Sequence, residues 1–199
     1  KSSVPTGAKT PISILAREIL QYAKTIDEAY SITKSRETFV SESILISSAE
    51  DNAAAIIEKS PDRIDIQRSS DSRWTCSNHD QSETFKNDSI NLKNIKESDS
   101  DYRFNRLNQL LEENLPLTPT TSIQILRNQK GIDDANWGMG NPKAINQLRA
   151  HHGVVFQPEK RLMWVSANPF QLGAFVCYDL KKVFSDSVEY VPNTKVDPL

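Results

Sequence analysis

The chain has 199 residues, enough for one domain with a substantial core or for part of a larger one, and its hydrophobic share of 37% is modest beside a charged share of 25%. A formal net charge of -2, with Lys and Arg scattered among acids, excludes the basic footprint of a nucleic-acid or anionic-membrane binder. No apolar run approaches the roughly 20 residues that span a bilayer, and Cys76 and Cys177 lack the Cys/His spacing of a zinc site, so no membrane span, metal or cofactor is expected.

Residues 1–9 are small and polar with Pro5 and Gly7, and read as a loop; the chain starts at Lys1 without an apolar leader, so any export signal is expected upstream or removed. Thr10-Pro11 predicts an N-cap and a first helical proline, followed by a helix with Ile12, Leu15, Ile19, Leu20 and Ala23 on one face. The series Thr25-Ile26-Asp27-Glu28 is a capping box for a second helix to about residue 34. Such stripes need a sheet to lie on. Residues 43–47, 54–58 and 63–67 supply its strands, and residues 74–78 are expected as the fourth strand of an antiparallel meander.

Residues 82–100 are polar and predict a long surface loop with at most one helical turn. Ser100-Asp101 opens a helix whose expected buried stripe is Phe104, Leu107, Leu110 and Leu111, and Thr118-Pro119 opens another, with Ile123, Ile125 and Leu126, ending at Gly131. Residues 131–142 form an irregular loop around Trp137. Strands are expected over 151–156, 161–166 and 174–180, with Val154, Phe156, Leu162, Trp164 and Val165 in the core. Residues 185–199, with Pro192 and Pro198, read as a loosely held tail after a domain spanning 1–184.

Several residues could carry chemistry. Asn78 sits where the fourth strand runs out, so its amide could donate to an oxyanion beside the sheet, or cap the following turn. Arg103 and Arg106 lie in the first turns of a helix, where solvated pairing with acids such as Glu112 is the ordinary role. Cys76 and His79 are close in sequence, but a strand thiol beside Trp74 reads as core and His79 has only Asp80 to orient it. His151 and His152 point to opposite faces of their strand and cannot share a metal. Gly138-Met139-Gly140 lacks the preceding strand of a phosphate loop. Whether the two cysteines form a disulfide stays open.

The stretch Trp74-Thr75-Cys76-Ser77-Asn78-His79-Asp80 resembles the Thr-Asn-His strand end of N-terminal-nucleophile hydrolases of the acyl-CoA:6-aminopenicillanate acyltransferase type, which are related to choloylglycine hydrolases. Residues 14–22, 25–29, 39–43 and 161–166 are similar to the same family in order and spacing, and Arg103-Phe104-Asn105-Arg106 resembles the start of the corresponding choloylglycine-hydrolase helix. The resemblance implies an α+β fold, a four-layer αββα sandwich incomplete in this chain. It implies Asn78 as oxyanion donor, Arg103 or Arg106 as the cation that favours the ionised thiol, and His79 and Phe85 at the substrate.

The implied reaction is attack of an N-terminal cysteine, exposed by autoproteolysis, on a small-molecule acyl amide or thioester. Lys1 cannot be that nucleophile, and Cys76 and Cys177 are expected inside strands, so the partner implied is an N-terminal segment or chain carrying the nucleophilic Cys. A homo-oligomer stays open, as do the compartment and the choice between hydrolysis and transfer. The alternative is a noncatalytic protein that keeps the sandwich for binding.

Overall fold

The computed structural model describes residues 9–68, 73–185 and 194–196. Its internal contacts group into two units, Lys1–Asp101 and Tyr102–Leu199, each an α+β arrangement of helices and an antiparallel sheet.

In the first unit, α1 (Ile12–Tyr22) buries Leu15 and Ile19. Leu20, expected on that stripe, is 78% exposed, because each step along a helix turns about 100° and carries it past the face that Ile19 presents. Pro11, not Thr10, occupies the cap position, without a side-chain bond. The Thr10 amide instead donates to the Glu37 carbonyl (2.8 Å). Helix α2 (Ile26–Ser35) starts with the expected capping box: the Glu28 amide donates to the Thr25 hydroxyl and the Thr25 amide to the Glu28 carboxylate, both at 3.2 Å.

Strands β1 (Glu42–Ser48), β2 (Ala53–Lys59) and β3 (Ile64–Arg68) form an antiparallel sheet in sequence order. The register pairs Ile44 with Ile57 and Ile57 with Ile66, so these three share one face. That face packs on Leu15, Ile19 and Ala29 of the two helices. Ile56, Glu58, Asp65 and Gln67 therefore stand on the opposite face.

Residues 74–78 do not join this sheet. Side chains satisfy part of their backbone where a neighbouring strand would have done so: the Gln81 amide group donates to the Thr75 carbonyl at 3.0 Å, and Asn94 to that of Asn78 at 2.5 Å. The polar stretch that follows contains a full helix, α3 (Ser89–Glu97), capped by the Asp88 carboxylate, which accepts the Ile90 amide. Composition hid it because its one buried residue is polar, Asn91.

Helix α4 (Ser100–Glu113) begins at the end of the first unit and runs into the second. Leu110 is buried as expected, but so is Arg106, at 2% exposure. The Thr118 cap and its proline start α5 (Pro119–Leu126), which stops at Arg127 rather than reaching Gly131. Gly131 serves a different purpose: a Cβ there would collide with the Trp137 and Tyr102 side chains.

The second sheet runs β4 (Val154–Gln157), β5 (Leu162–Ser166), β6 (Phe175–Asp179) and β7 (Thr194–Val196) in sequence order, all antiparallel. A short 3-10 turn, Pro158–Lys160, joins β4 to β5, with Arg161 at φ 57 closing it. Val155, Trp164 and Cys177 align across three strands, and with Leu162 and Phe175 they pack against Ile123 and Leu126 of α5. The core alternation is thus one residue off the expected one in β4: Val154 and Phe156 take the other face, Phe156 at 53% exposure. The short helix α6 (Leu180–Val183) follows, capped by Asp179. Both cysteines are free thiols. Of the expected tail, residues 186–193 and 197–199 lie outside the described residues, as do residues 1–8 of the expected N-terminal loop.

Candidate functional site

Residues 77–82 of the first unit begin at the end of the stretch expected as the fourth strand, and successive members are held by side chains from elsewhere in that unit. The Ser77 hydroxyl donates to the Ser100 carbonyl (3.0 Å), and the Ser100 hydroxyl to the Ser77 oxygen (3.1 Å). His79 is buried, its Nδ1 2.8 Å from the same Ser100 hydroxyl. Asn91 pairs with Asp80 as a strand neighbour would: its Oδ1 accepts the Asp80 amide (2.9 Å) and its Nδ2 donates to the Asp80 carbonyl (2.8 Å).

The other side of the segment rests on Glu58. This residue is fully buried in β2, and its two carboxylate oxygens accept the backbone amides of Gln81 (2.6 Å) and Ser82 (3.0 Å), with a third bond from the Gln67 side chain (3.3 Å). Asp65, paired with Glu58 across β2 and β3, accepts the Thr84 amide (3.1 Å). Burial opposes ionisation of Asp65, but the bonds from Thr84 and Ile66 outweigh it and hold its carboxyl below the usual range.

A cavity of about 150 Å³ opens beside this segment, its wall including Glu42, Ser43, Asn78, Asp80, Asn91 and Asn94. The Ser43 hydroxyl donates to Asp80 (3.1 Å). With Asn78, Asn91 and Asn94 beside Glu42, Ser43 and Asp80, the wall is lined by polar residues and suits a polar ligand.

Phe85 is buried under the Arg63 guanidinium, which sits 4.8 Å from its ring centre and pairs with Asp88 (2.6 Å). Cys76 is half-buried, and burial, reinforced by the negative charge of Glu58, pushes its thiol up to about 11. Burial likewise raises Cys177, which packs on Trp164 and Phe175. Neither thiol has the environment of a nucleophile. No cluster of His, Cys, Asp and Glu among the described residues could hold a metal ion, and none of their helices is long and apolar enough to cross a membrane.

The two arginines belong to the second unit. Arg103 donates to the Pro142 carbonyl (2.7 Å). Arg106 is bonded to Gln109 (2.9 Å) and paired with Asp134 (3.1 Å), while its Nε has no partner. The structure thus gathers Asn78, His79 and Phe85 in one segment of the first unit and places Arg103 and Arg106 on α4 of the second.

The sequence matches the profile of the family described as acyl-coenzyme A:6-aminopenicillanic acid acyl-transferase over residues 1–169. The chain belongs to this family. The family lies within the N-terminal-nucleophile, choloylglycine-hydrolase-like superfamily, which agrees with the resemblance around residues 74–80. Neither the curated proteins nor the solved structures yield a match.

Glu58, Asn91 and Ser100 were not singled out from the sequence as parts of this arrangement. A signal existed for Glu58: a carboxylate directly after the apolar run Ala53-Ala54-Ala55-Ile56-Ile57, in the middle strand of a meander, must find donors. Nothing in the local pattern marks Asn91 or Ser100, whose partners are distant in sequence.

Proposed function

We propose that this chain forms the part of a cysteine N-terminal-nucleophile acyltransferase or amide hydrolase that carries the oxyanion donor, Asn78, with the nucleophilic cysteine lying outside it. The observation that supports this reading is the tethered segment 77–82, which keeps Asn78 at the wall of a polar cavity in a chain matched to the acyltransferase family over residues 1–169. A donor held rigid before the reaction costs no reorganisation when charge develops on the acyl oxygen. Cys76, half-buried, and Cys177, buried, both with pKa raised by burial, are unsuited to attack, which favours a nucleophile elsewhere.

In the proposed reaction the thiolate adds to the carbonyl of a small-molecule acyl amide or thioester. The amine or thiol leaves, and the acyl-enzyme passes to water or to an acceptor amine. The α-amino group of the nucleophile takes up the thiol proton as base. Arg103, with Arg106 as the alternative, is the arginine we assign to favouring the thiolate. His79 and Phe85, both buried, are the residues we assign to the substrate side of this segment. The complete protein is assigned the four-layer αββα sandwich, with this chain as part of it.

The test is the intact mass and N-terminal sequence of the mature product of the whole gene. A product chain that begins with Cys and contains this segment is expected. An uncleaved product, or one with no upstream Cys, would overturn the reading in favour of a noncatalytic binding protein.

A further inference from the structure

Glu58 is a buried carboxylate on a sheet face that carries a second acid, Asp65, directly opposite it. Like charges facing each other across strands are destabilising, and an unpaired buried carboxylate is costly. Both costs are offset by N–H donors: the oxygens accept the backbone amides of residues 81, 82 and 84, with further bonds from the Gln67 side chain to Glu58 and from the Ile66 amide to Asp65. No Lys or Arg is needed at Glu58, because each of its oxygens accepts at least one N–H. From the other side, Asn91 clasps Asp80 at both its amide and its carbonyl. Consecutive residues 80, 81 and 82 are therefore fixed by two side chains that belong to other elements, β2 and α3. Asn78 is two residues away from the first of these anchors.

We propose that Glu58 and Asn91 are positioning residues of the active site: they clamp the backbone of residues 80–82 and thereby keep the Asn78 amide where the oxyanion forms. The inference rests on the reading of Asn78 as the oxyanion donor. Neither residue touches the reacting atoms. Both act through the segment, so their effect on rate vanishes when Asn78 has no amide left to aim.

Glu58→Gln exchanges one acceptor oxygen for an NH₂ that opposes a backbone N–H, and Asn91→Ala removes the second clasp without uncovering a charge, so it serves if the Gln variant does not fold. Both are made in the complete protein, alone and combined with Asn78→Ala. Turnover is read with an acyl-coenzyme A thioester as release of free thiol, and exchange of the Asp80, Gln81 and Ser82 amides is read by mass spectrometry or NMR.

The expected result is a fall in kcat of roughly tenfold or more for each single variant with KM little changed, and no further fall when either is added to Asn78→Ala. The three amides should also exchange faster than in the parent. Full additivity with Asn78→Ala, or an unchanged kcat in the single variants, would overturn the proposal while leaving the Asn78 assignment standing. If Asn78→Ala itself leaves turnover intact, the oxyanion reading falls, and the positioning role with it. If the parent leaves the thioester uncut, the exchange data still decide: unchanged protection of the three amides shows that the clamp does not exist.

Discussion

Glu58 and Asp65 face each other across β2 and β3, and both carboxylates are turned onto the backbone amides of the same loop rather than onto a cation. A pair that would repel in an isolated hairpin is here the means by which a sheet holds an irregular segment in one conformation.

Acid should weaken the bonds that Asp65 makes to the Thr84 amide and Asp88 to Arg63. The carboxyls of Asp65, held by Thr84 and Ile66 against the opposing effect of burial, and of Asp88, bonded foremost to Arg63, lie below the ordinary 3.8. A carboxyl depressed in the folded state adds stability above its unfolded pKa and loses it as pH falls through the folded one. The melting temperature should therefore drop as pH goes below 3.8. Asp65→Asn should lower it at neutral pH and flatten that acid slope, in a thermal scan across pH.

Cys76 should be slow to alkylate. With its thiol pushed up to about 11, little thiolate exists near pH 8, and half-burial restricts access further. Iodoacetamide at that pH should label neither Cys76 nor Cys177 in the folded chain within a time that labels both after unfolding, as mass spectrometry can follow. Rapid native labelling of Cys76 would contradict its assignment as inert.

Gly131→Ala should destabilise the second unit. The added methyl group meets Trp137 and Tyr102, whose hydroxyl accepts the Ile132 amide (2.9 Å) and a bond from the Trp137 ring (3.3 Å), so neither ring can yield without losing a partner. Overpacking of this kind costs about 1–3 kcal/mol. A denaturant midpoint that falls while its slope is unchanged is the expected sign.

Elements set by local rules were legible in the sequence. The Thr25 capping box, the Thr118 cap with its proline, the three strands β1 to β3 and the hairpin of β4 and β5 all fall within a few residues of expectation. What escaped was set at long range. The segment 74–78 has the composition of a strand but takes bonds from Gln81 and Asn94 instead of a ladder. Helix α3 is polar because its buried contact is the Asn91 clasp, so no apolar stripe announces it. Arg106 read as a surface cation, since a sequence shows charge but not the Asp134 and Gln109 that accompany it inside. Asn78 was found by a motif and Glu58 only by geometry, because the amides that explain Glu58 are more than twenty residues away.

The most direct test of the account is the turnover of Asn78→Ala in the complete, processed protein, measured alongside its melting temperature. Loss of an oxyanion donor should lower kcat by roughly 10²–10³ with KM and melting temperature little changed. An unaltered kcat would contradict the central claim, and a loss matched by unfolding would assign Asn78 a structural role rather than one in the reaction.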